Sequence, residues 1–311
     1  MAHVDVVVVS YNSRQHLRGC LEPLARLADV YVVVVDNAST DGSVNTLDGL
    51  PVTILARSQN GGFAVGCNAG WRAGSAPHVL FLNPDATIDE SSLRRLIAVL
   101  EELPTAGAVA PRIEHPDGSV AHSLRRFPRP TSTLAQALFL HRLFPRAAWA
   151  DELVRDPAAY AHAWSPDWVS GACLLVRRAA LERLEGWDEG FFLYGEDVDL
   201  CARLREAGFG LRFEPGARAV HEEGASTPRA ATYPLLAAAR LRYARKHFSR
   251  PARAVDRVAV ALGALTHLVV GKSGLTARRG HARALLIALT GRESLRPADT
   301  VPALAQDASS D

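Results

Sequence analysis

The sequence predicts an α/β fold with a largely parallel sheet, and three observations support that class. Apolar runs alternate with helical patterns from the N-terminus onward, as they do in βαβ units. Residues 6–9 and 32–35 are uniformly valine, which is typical of strands covered by helices on both faces. A polar cluster follows each early run, and ligands in such sheets bind at the carboxyl ends of the strands. We therefore expect a binding site at one edge of the sheet.

Seven segments are apolar and bounded by polar residues or glycine, as strands are. They are residues 4–9, 30–35, 52–55, 79–82, 107–113, 168–176 and 211–220. Periodicity predicts helices between them, at residues 15–27, 91–103 and 195–207. The irregular segment 116–166 is rich in proline, arginine and aromatic residues, so it either covers the site or packs on the surface.

The C-terminal part has helical patterns at residues 233–248, 252–270 and 275–289. We expect a large N-terminal domain at 1–230, a helical extension at 231–295 and a disordered tail at 296–311. Basic residues crowd 240–292, and 258–270 is an apolar stretch too short for the roughly 20 residues that span a bilayer. The extension either lies on a membrane surface or packs on the N-terminal domain.

Composition limits the class of protein. The 311 residues are 48% hydrophobic and 22% charged, with a formal net charge of +2, which is typical of a globular protein and not of a nucleic-acid-binding one. The four cysteines form no C-x-x-C pair, and no signal peptide precedes the first strand. We expect reduced thiols and a cytoplasmic location, with contact to the inner face of the membrane through 240–292. A homo-oligomer is left open.

Two polar clusters follow predicted strands. Asp36 follows residues 32–35 and either accepts hydrogen bonds from a base or ribose or shapes a turn with Asn37 or Ser39. Asn83-Pro84-Asp85 follows 79–82, where a carboxylate in a stiffened loop suits a hard divalent cation, although surface turns of this composition are common.

The densest feature is GWDEGFFLYGEDVD at residues 186–199, in which aromatic residues alternate with five carboxylates before a helix. Asp199 and Arg203 are expected to pair on the solvent face. Glu196 and Asp197 remain as candidates for a general base, because neighbouring aromatic rings would raise the basicity of a carboxylate.

Two weaker features surround this motif. His221 follows a predicted strand and is either polar surface or a ligand of a metal or diphosphate. The glycine-rich segment 60–70 leads into a helix, a geometry that brings backbone amides to phosphate, although it is not G-x-G-x-x-G.

Five motifs in this order resemble the inverting family 2 glycosyltransferases, and among them the bacterial rhamnosyltransferases. The resemblance spans residues 4–226 and implies a GT-A fold, the Rossmann-like fold of nucleotide-sugar transferases, with the helices at 231–295 as a C-terminal extension. The motifs are VVVSYN at 7–12, VDNASTDG at 35–42, NGGFA at 60–64, FLNPDA at 81–86 and YGEDVDL at 194–200.

The resemblance assigns roles to individual residues. Asp85 stands where the last acid of a D-x-D motif binds Mg²⁺ or Mn²⁺, but the first acid is replaced by Asn83, which gives more weight to His221 as a second metal ligand. Asp197 would be the catalytic base, with Glu196 beside it. The candidate donor-binding residues are Ser10, Tyr11, Asn12, Asp36, Asn37, Asn60, Phe63, Asn68 and Asn83, and the candidate acceptor-binding residues are Trp168, Gly171, Trp187 and Tyr194.

The function implied is transfer of a sugar, L-rhamnose from dTDP-L-rhamnose, to a hydroxyl of a glycan or lipid-linked glycan. A UDP-hexose donor (glucose, galactose or N-acetylglucosamine) is the alternative within the fold. A non-catalytic nucleotide-sugar or lipid-binding module is a second alternative. A nucleotide-binding oxidoreductase would need the glycine fingerprint that is missing, and a sugar nucleotidyltransferase would need a triphosphate loop near the N-terminus.

Overall fold

The computed structural model describes residues 3–222, 229–270, 274–293 and 295, with the backbone alone at 229–231. The predicted tail at 296–311 lies outside these residues. Ten strands are described: β1 (Val4–Ser10), β2 (Val30–Asp36), β3 (Val52–Ala56), β4 (His78–Leu82), β5 (Ala86–Ile88), β6 (Ala106–Glu114), β7 (Leu124–Arg125), β8 (Trp168–Val169), β9 (Cys173–Arg177) and β10 (Gly210–His221). The α-helices are α1 (Leu17–Ala25), α2 (Phe63–Ala73), α3 (Glu90–Glu102), α4 (Pro130–Ala137), α5 (Leu140–Leu143), α6 (Arg178–Leu184), α7 (Glu196–Glu206), α8 (Arg229–His247), α9 (Arg250–Val270) and α10 (Leu275–Thr290).

Eight strands form one mixed sheet in the order β3-β2-β1-β4-β9-β6-β10-β5. β3, β2, β1 and β4 are parallel, as the alternation of strands and helices predicts, while β9 and β5 run antiparallel to their neighbours. The carboxyl ends of β1, β2 and β4 therefore meet at one edge, where the N-terminal end of β9 joins them.

The valine runs are buried on both faces of the sheet. Val7 and Val9 of β1 face a core shared with α2, α6 and α7, whereas Val4, Val6 and Val8 face a second core shared with α1 and α3. Each fully buried valine contributes about 1.5–3 kcal/mol relative to an exposed one. These strands show no alternation of apolar and polar residues because helices cover both faces of the sheet.

The segment predicted as a single strand at 168–176 is two strands, so that prediction was wrong. β8 pairs with β7 in a separate two-stranded sheet, and β9 lies between β4 and β6 in the main sheet. Residues 170–172 cross from one sheet to the other, because the chain must turn there to reach the central position of β9.

The helical extension packs on itself and on the rest of the chain. α8, α9 and α10 share a small core that includes Leu241, Ala264 and Ile287, while Thr266 of α9 donates a hydrogen bond to the carbonyl oxygen of Ala137 in α4 at 2.8 Å. Arg240 of α8 binds Asp256 at 2.7 Å and Glu152 at 2.9 Å. Among the described residues, no helix is long and apolar enough to cross a bilayer.

Candidate active site

The carboxyl ends of β1 and β2 present buried polar groups. Ser10 and Asn37 are almost fully buried, and Ser10 Oγ and Asn37 Oδ1 have no hydrogen-bond partner among the described residues. Buried polar atoms are nearly always satisfied, so these two point to a bound ligand or water. Asp36 accepts a hydrogen bond from Ser39 N at 3.2 Å, so its carboxylate shapes the turn that was the alternative to nucleotide binding.

Two loops close around this strand edge and hold Tyr11 at its rim. Asn12 adopts a left-handed backbone (φ 52°), and its Oδ1 accepts a hydrogen bond from Thr40 N at 2.8 Å. Asn12 N donates to Ser39 Oγ at 2.9 Å, which ties the loop after β1 to the loop after β2. Asn12 therefore serves loop structure, while Tyr11 is half-buried beside it.

Two amides at the start of α2 are already bound within the protein. Asn60 Oδ1 accepts a hydrogen bond from Gly62 N at 2.9 Å, and Phe63 N donates to the carbonyl oxygen of Phe192 at 2.9 Å. Gly62 has φ 90°, and a Cβ there would lie 2.2 Å from that carbonyl oxygen, so only glycine fits. Asn60 and Phe63 therefore fasten the start of α2 to the loop before α7, and the phosphate contact expected in this segment stays a prediction.

Asn68 has a packing role in place of the predicted contact with the donor nucleotide. It is buried, and its Nδ2 donates to the carbonyl oxygen of Trp187 and to Glu189 Oε1, both at 2.9 Å. Its Oδ1 accepts from Trp71 Nε1 at 3.0 Å and from Trp187 N at 2.9 Å. All four hydrogen bonds available to an amide side chain are used to fasten α2 to the loop before α7.

Asn83, Asp85 and His221 lie together, as expected, although they are far apart in the sequence. His221 Nε2 is 3.1 Å from Asp85 Oδ1 and 3.3 Å from Asn83 Nδ2. β5 brings them together, because it follows Asp85 directly and pairs His221 with Ala86. The side chains of Asp85 and His221 are 6% and 12% exposed, so a small ion can reach both.

A short path of hydrogen bonds joins this cluster to Asp197. Asn83 N donates to the carbonyl oxygen of Ala172 at 2.8 Å, and the adjacent Gly171 N donates to Asp197 Oδ2 at 3.3 Å. The 170–172 crossing thus positions the candidate base relative to the end of β4. Gly171, predicted to bind the acceptor, contacts the candidate base through its backbone, and a Cβ there would lie 3.4 Å from Asp197 Cβ.

Glu196 and Asp197 begin α7 and have raised pKa values. Burial, together with the charge of the adjacent Asp197 carboxylate, raises the pKa of Glu196 to about 8, and Glu196 Oε2 has no partner among the described residues. Burial also raises the pKa of Asp197, against hydrogen bonds from backbone amides and the charge of Arg125. Asp197 is partly exposed and Glu196 is buried, so Asp197 is the carboxylate that a substrate can reach.

The aromatic residues predicted to bind the acceptor mostly form the floor of the site. Trp187 is 3% exposed and makes edge contacts with Phe63 and Phe81, at 5.7 and 5.0 Å between centroids. Trp168 is buried, and its Nε1 donates to the carbonyl oxygen of Arg126 at 2.9 Å. Both rings are therefore packed within the protein, although Trp187 Nε1 has no hydrogen-bond partner among the described residues. Tyr194 is half-buried with a left-handed backbone (φ 69°), two residues before Glu196.

Sequence reasoning missed two basic side chains of α8 that bind an acidic residue of α7. Asp199 is buried, so its expected position on the solvent face was wrong, although it does pair with Arg203 at 2.7 Å. His247 and Lys246 of α8 also bind Asp199, at 2.9 and 2.5 Å. These two basic residues lie at the end of α8, the first helix of the extension, and nothing in the sequence indicated that they bind a residue of the segment 186–199.

A second group of metal-ligand types lies at the opposite edge of the sheet. Among the described residues, one ligand atom each from His3, His78 and Glu101 lie within 4.8 Å of one another. His3 Nε2 is 2.9 Å from Glu101 Oε1, which accounts for the closest approach as a surface ion pair or hydrogen bond. This cluster is at the start of β1 and β4 and so is separate from the candidate site.

Two family models match this chain. The model described as "Glycosyl transferase family 2" matches residues 5–150, and that described as "Glycosyl transferase family group 2" matches residues 78–270. The chain belongs to glycosyltransferase family 2. This glycosyltransferase is 34% identical over 241 residues to the N-acetylglucosaminyl-diphospho-decaprenol L-rhamnosyltransferase of Mycobacterium tuberculosis, covering 73% of this chain and 78% of the relative. It is also 24% identical over 230 residues to the rhamnosyltransferase WbbL of Escherichia coli, covering 70% and 83% of the two chains.

Solved structures confirm the GT-A fold. The mannosyltransferase PcManGT of Pyrobaculum calidifontis, in complex with GDP-Man and Mn²⁺, is similar with a TM-score of 0.54 and 19% identity, over 99% of this chain and 87% of that one. TarS of S. aureus, in complex with UDP-GlcNAc, is similar with a TM-score of 0.51 and 18% identity, over 94% and 81%.

Proposed function

We propose that this glycosyltransferase moves L-rhamnose from dTDP-L-rhamnose to a hydroxyl of a glycan that a diphosphate links to a lipid. The names of the mycobacterial and E. coli relatives support the sugar, and the mycobacterial name supports the acceptor class. The observation that carries the proposal is the hydrogen-bonded path from the Asp85–His221 pair to Asp197, since the proposed cation ligands and the proposed base lie at the same strand edge.

Asp197 is the proposed general base. Its Oδ2 is held by Gly171 N, and its raised pKa increases its affinity for the proton of an attacking hydroxyl. The acceptor oxygen forms a bond to the anomeric carbon as the bond to the nucleoside diphosphate breaks, so a single displacement inverts the anomeric centre. The proton passes from the hydroxyl to Asp197.

The residues at the end of β4 fit a divalent cation. Asp85 offers a carboxylate, His221 an imidazole nitrogen and Asn83 an amide, which together suit Mn²⁺ or Mg²⁺. When bound there, such an ion neutralises charge on the leaving diphosphate. Ser10 and Asn37, with unused buried hydrogen-bonding atoms, are proposed to contact the nucleoside.

A UDP-hexose or GDP-mannose donor is the alternative that the similar structures favour, since they were solved with UDP-GlcNAc and GDP-Man. Thermal shift separates these donors, because a ligand that binds the folded state raises the melting temperature. The panel is dTDP-L-rhamnose, UDP-glucose, UDP-galactose, UDP-N-acetylglucosamine and GDP-mannose, each with and without Mn²⁺ or Mg²⁺. Stabilisation by a UDP or GDP sugar alone would overturn the donor proposed.

Asp197→Asn tests the reaction itself with the stabilising donor. We expect kcat for release of nucleoside diphosphate to fall by about 10²–10⁴, with donor affinity unchanged, because the base is removed and the nucleotide contacts remain. The exposed Asp48→Asn makes the same chemical change away from the site and should behave as wild type. Turnover by Asp197→Asn close to that of wild type contradicts the assignment of the base.

We further propose that residues 231–295 form an extension that holds the enzyme on an anionic membrane surface, where a lipid-linked acceptor resides. Val258, Val269 and Leu275 are 67%, 68% and 78% exposed. Residues 250–292 contain seven arginines and a single acid, Asp256, which is buried against Arg240. Exposed apolar side chains among basic residues are typical of interfacial helices.

A further inference from the structure

Arg125 is a half-buried cation with an unused donor atom. Its guanidinium lies over the Trp168 ring, with Cζ 5.1 Å from the ring centroid, and its buried Nε makes no hydrogen bond within the described residues. The adjacent Arg126 differs, because its Nη1 donates to the carbonyl oxygens of Asp151 and Leu153 at 3.2 and 3.0 Å. A buried donor atom without a partner is unfavourable, so Arg125 is suited to bind a ligand, whereas Arg126 is already bound within the protein.

The position of Arg125 is on the acceptor side of the site. It pairs with Trp168 across β7 and β8, and the chain after β8 leads directly to Gly171, which binds Asp197. The positive charge of Arg125 is close enough to oppose the rise in the pKa of Asp197 that burial causes. Arg125 therefore lies near the base that faces the acceptor hydroxyl in the proposed reaction.

A second unused group lies two residues before Arg125. Ser123 Oγ is buried without a partner among the described residues, and the Ser123 carbonyl oxygen accepts a hydrogen bond from Ser170 N at 3.0 Å. Residues two apart along an extended segment face the same side. A hydroxyl and a guanidinium thus face one side beside the 170–172 crossing, and this combination suits a phosphate group.

We propose that Arg125 binds a phosphate oxygen of a substrate diphosphate, with Ser123 as a second donor to the same group. This inference rests on the proposed function, which gives two sources of diphosphate. The diphosphate of the lipid-linked acceptor is favoured by the position beside Asp197, and the diphosphate of the donor is the other source. A planar, permanently charged guanidinium can bind two phosphate oxygens at once.

The experiment compares two acceptors: N-acetylglucosamine linked by a diphosphate to a short prenyl chain, and the neutral octyl N-acetylglucosaminide. For Arg125→Gln we expect KM for the diphosphate acceptor to rise by roughly tenfold or more, with KM for the neutral acceptor and for the donor unchanged. Arg125→Lys should recover part of the loss because it keeps the charge. The surface variant Arg142→Gln, which removes an arginine stacked on Phe139, serves as the control and should leave all three values unchanged.

The KM values distinguish the acceptor from the donor as the source of the diphosphate that Arg125 binds. A rise in donor KM alone assigns the phosphate to the donor and overturns the acceptor assignment. Unchanged KM values for all three substrates overturn the proposal altogether. A fall in kcat with both acceptors, accompanied by an upward shift of the acid limb of the pH profile and no change in KM, would also overturn it, since Arg125 would then act only through Asp197.

Calorimetric titration with inorganic pyrophosphate provides a readout independent of turnover. Wild type should bind it more tightly than Arg125→Gln, and melting temperatures establish that both variants are folded. If wild type transfers no sugar but shows this difference in pyrophosphate binding, the proposed function fails while the phosphate site remains. Equal pyrophosphate binding by the two proteins counts against the phosphate site.

Discussion

Glu196 and Asp197 are adjacent carboxylates in different environments. Glu196 is buried with an oxygen that has no partner in the described part of the chain, whereas Asp197 is partly exposed and receives a hydrogen bond from Gly171 N. The pKa of Glu196, raised to about 8, means that this group is protonated and neutral at pH 7. A neutral neighbour avoids repulsion with the Asp197 carboxylate, so Asp197 can ionise and act as the base.

Glu196→Gln is therefore expected to leave kcat at pH 7 within about threefold of wild type, because glutamine replaces a carboxyl group that is already neutral. A pH profile of kcat checks this, with Asp197→Asn assayed alongside. A loss of about 10²–10⁴ in the glutamine variant would instead identify Glu196 as the base.

The same substitution has an effect on stability with a definite sign. Between pH 4.5 and about 8 the unfolded Glu196 releases its proton while the folded one keeps it, so wild-type stability falls as pH rises through this window. Glu196→Gln removes that loss. We expect it to be more stable than wild type at pH 8 by on the order of 1–3 kcal/mol and equal at pH 4, as measured by urea denaturation.

Single residues also show where sequence reasoning was insufficient. Asn68 and Asn37 are both asparagines near glycine-rich loops, but Asn68 uses every hydrogen-bonding group in packing while Asn37 Oδ1 has no partner in the part of the chain that the structure describes. The difference depends on contacts with residues more than one hundred positions away, such as Trp187. The family resemblance predicted that Asp85 and His221 lie together, which their spacing in the sequence alone could not have predicted.

At the scale of elements, α8 binds both ends of the segment 188–199, which contains the candidate base. Arg242 and Lys246 each bind Asp188 at 2.6 Å, and both lie over the Phe191 ring. Lys246 and His247 also bind the buried Asp199, three residues after Glu196. The extension thus holds both ends of the segment that contains the candidate base, and the proposed division at residue 230 separates parts that are tightly joined.

Lys246→Met should lower the free energy of unfolding by about 1–3 kcal/mol, because it leaves Asp188 and Asp199 with one cation fewer. Burial favours the neutral form of Asp188, but Lys246, Gly190 N and Arg242 lower its pKa to about 2. Such a contribution is present above the ordinary pKa of 3.8 and is lost as pH falls toward 2. The difference between wild type and Lys246→Met in urea denaturation should therefore shrink on acidification.

Arg245→Ala is the matched control on the same helix. Its side chain is 66% exposed and pairs with Glu293, so its removal should destabilise the protein less than Lys246→Met does. Equal destabilisation by the two variants would mean that the ion pairs of Lys246 contribute no more to stability than a surface ion pair does.

Strands and helices could be predicted where the residue pattern of a single segment is enough to determine its structure. The strands β1, β2 and β4 and the three C-terminal helices lie close to their expected positions, because uniform valine runs and long amphipathic repeats leave few alternatives. The split between β8 and β9 was not predictable, since it is set by which strands the two halves pair with. The pairing of β9 with β4 and β6 involves residues distant in the sequence.

At the scale of the whole molecule, the exposed apolar residues are concentrated on the antiparallel pair α9 and α10. Arg257 near the start of α9 donates to the carbonyl oxygens of Ala288 and Leu289 at the end of α10, which fixes the antiparallel arrangement. Val255, Val258, Leu265 and Val269 recur at spacings of three, seven and four residues and are all exposed, so they form one stripe along α9. The opposite side of α9 packs on α4 and α10.

We expect the enzyme to float with vesicles of phosphatidylcholine and phosphatidylglycerol, and to stay unbound with phosphatidylcholine alone at the same ionic strength. Each arginine near an anionic surface contributes about 1 kcal/mol, so binding should weaken as salt is raised. Val258→Ser with Leu275→Ser should reduce the bound fraction without changing the melting temperature, since both side chains are exposed. Leu103→Ser, at the end of α3 and 39% exposed, is the control and should bind as wild type does. Equal binding to neutral and anionic vesicles, or a salt-independent dimer by light scattering that the double variant dissociates, would assign this surface to another partner and contradict the membrane proposal.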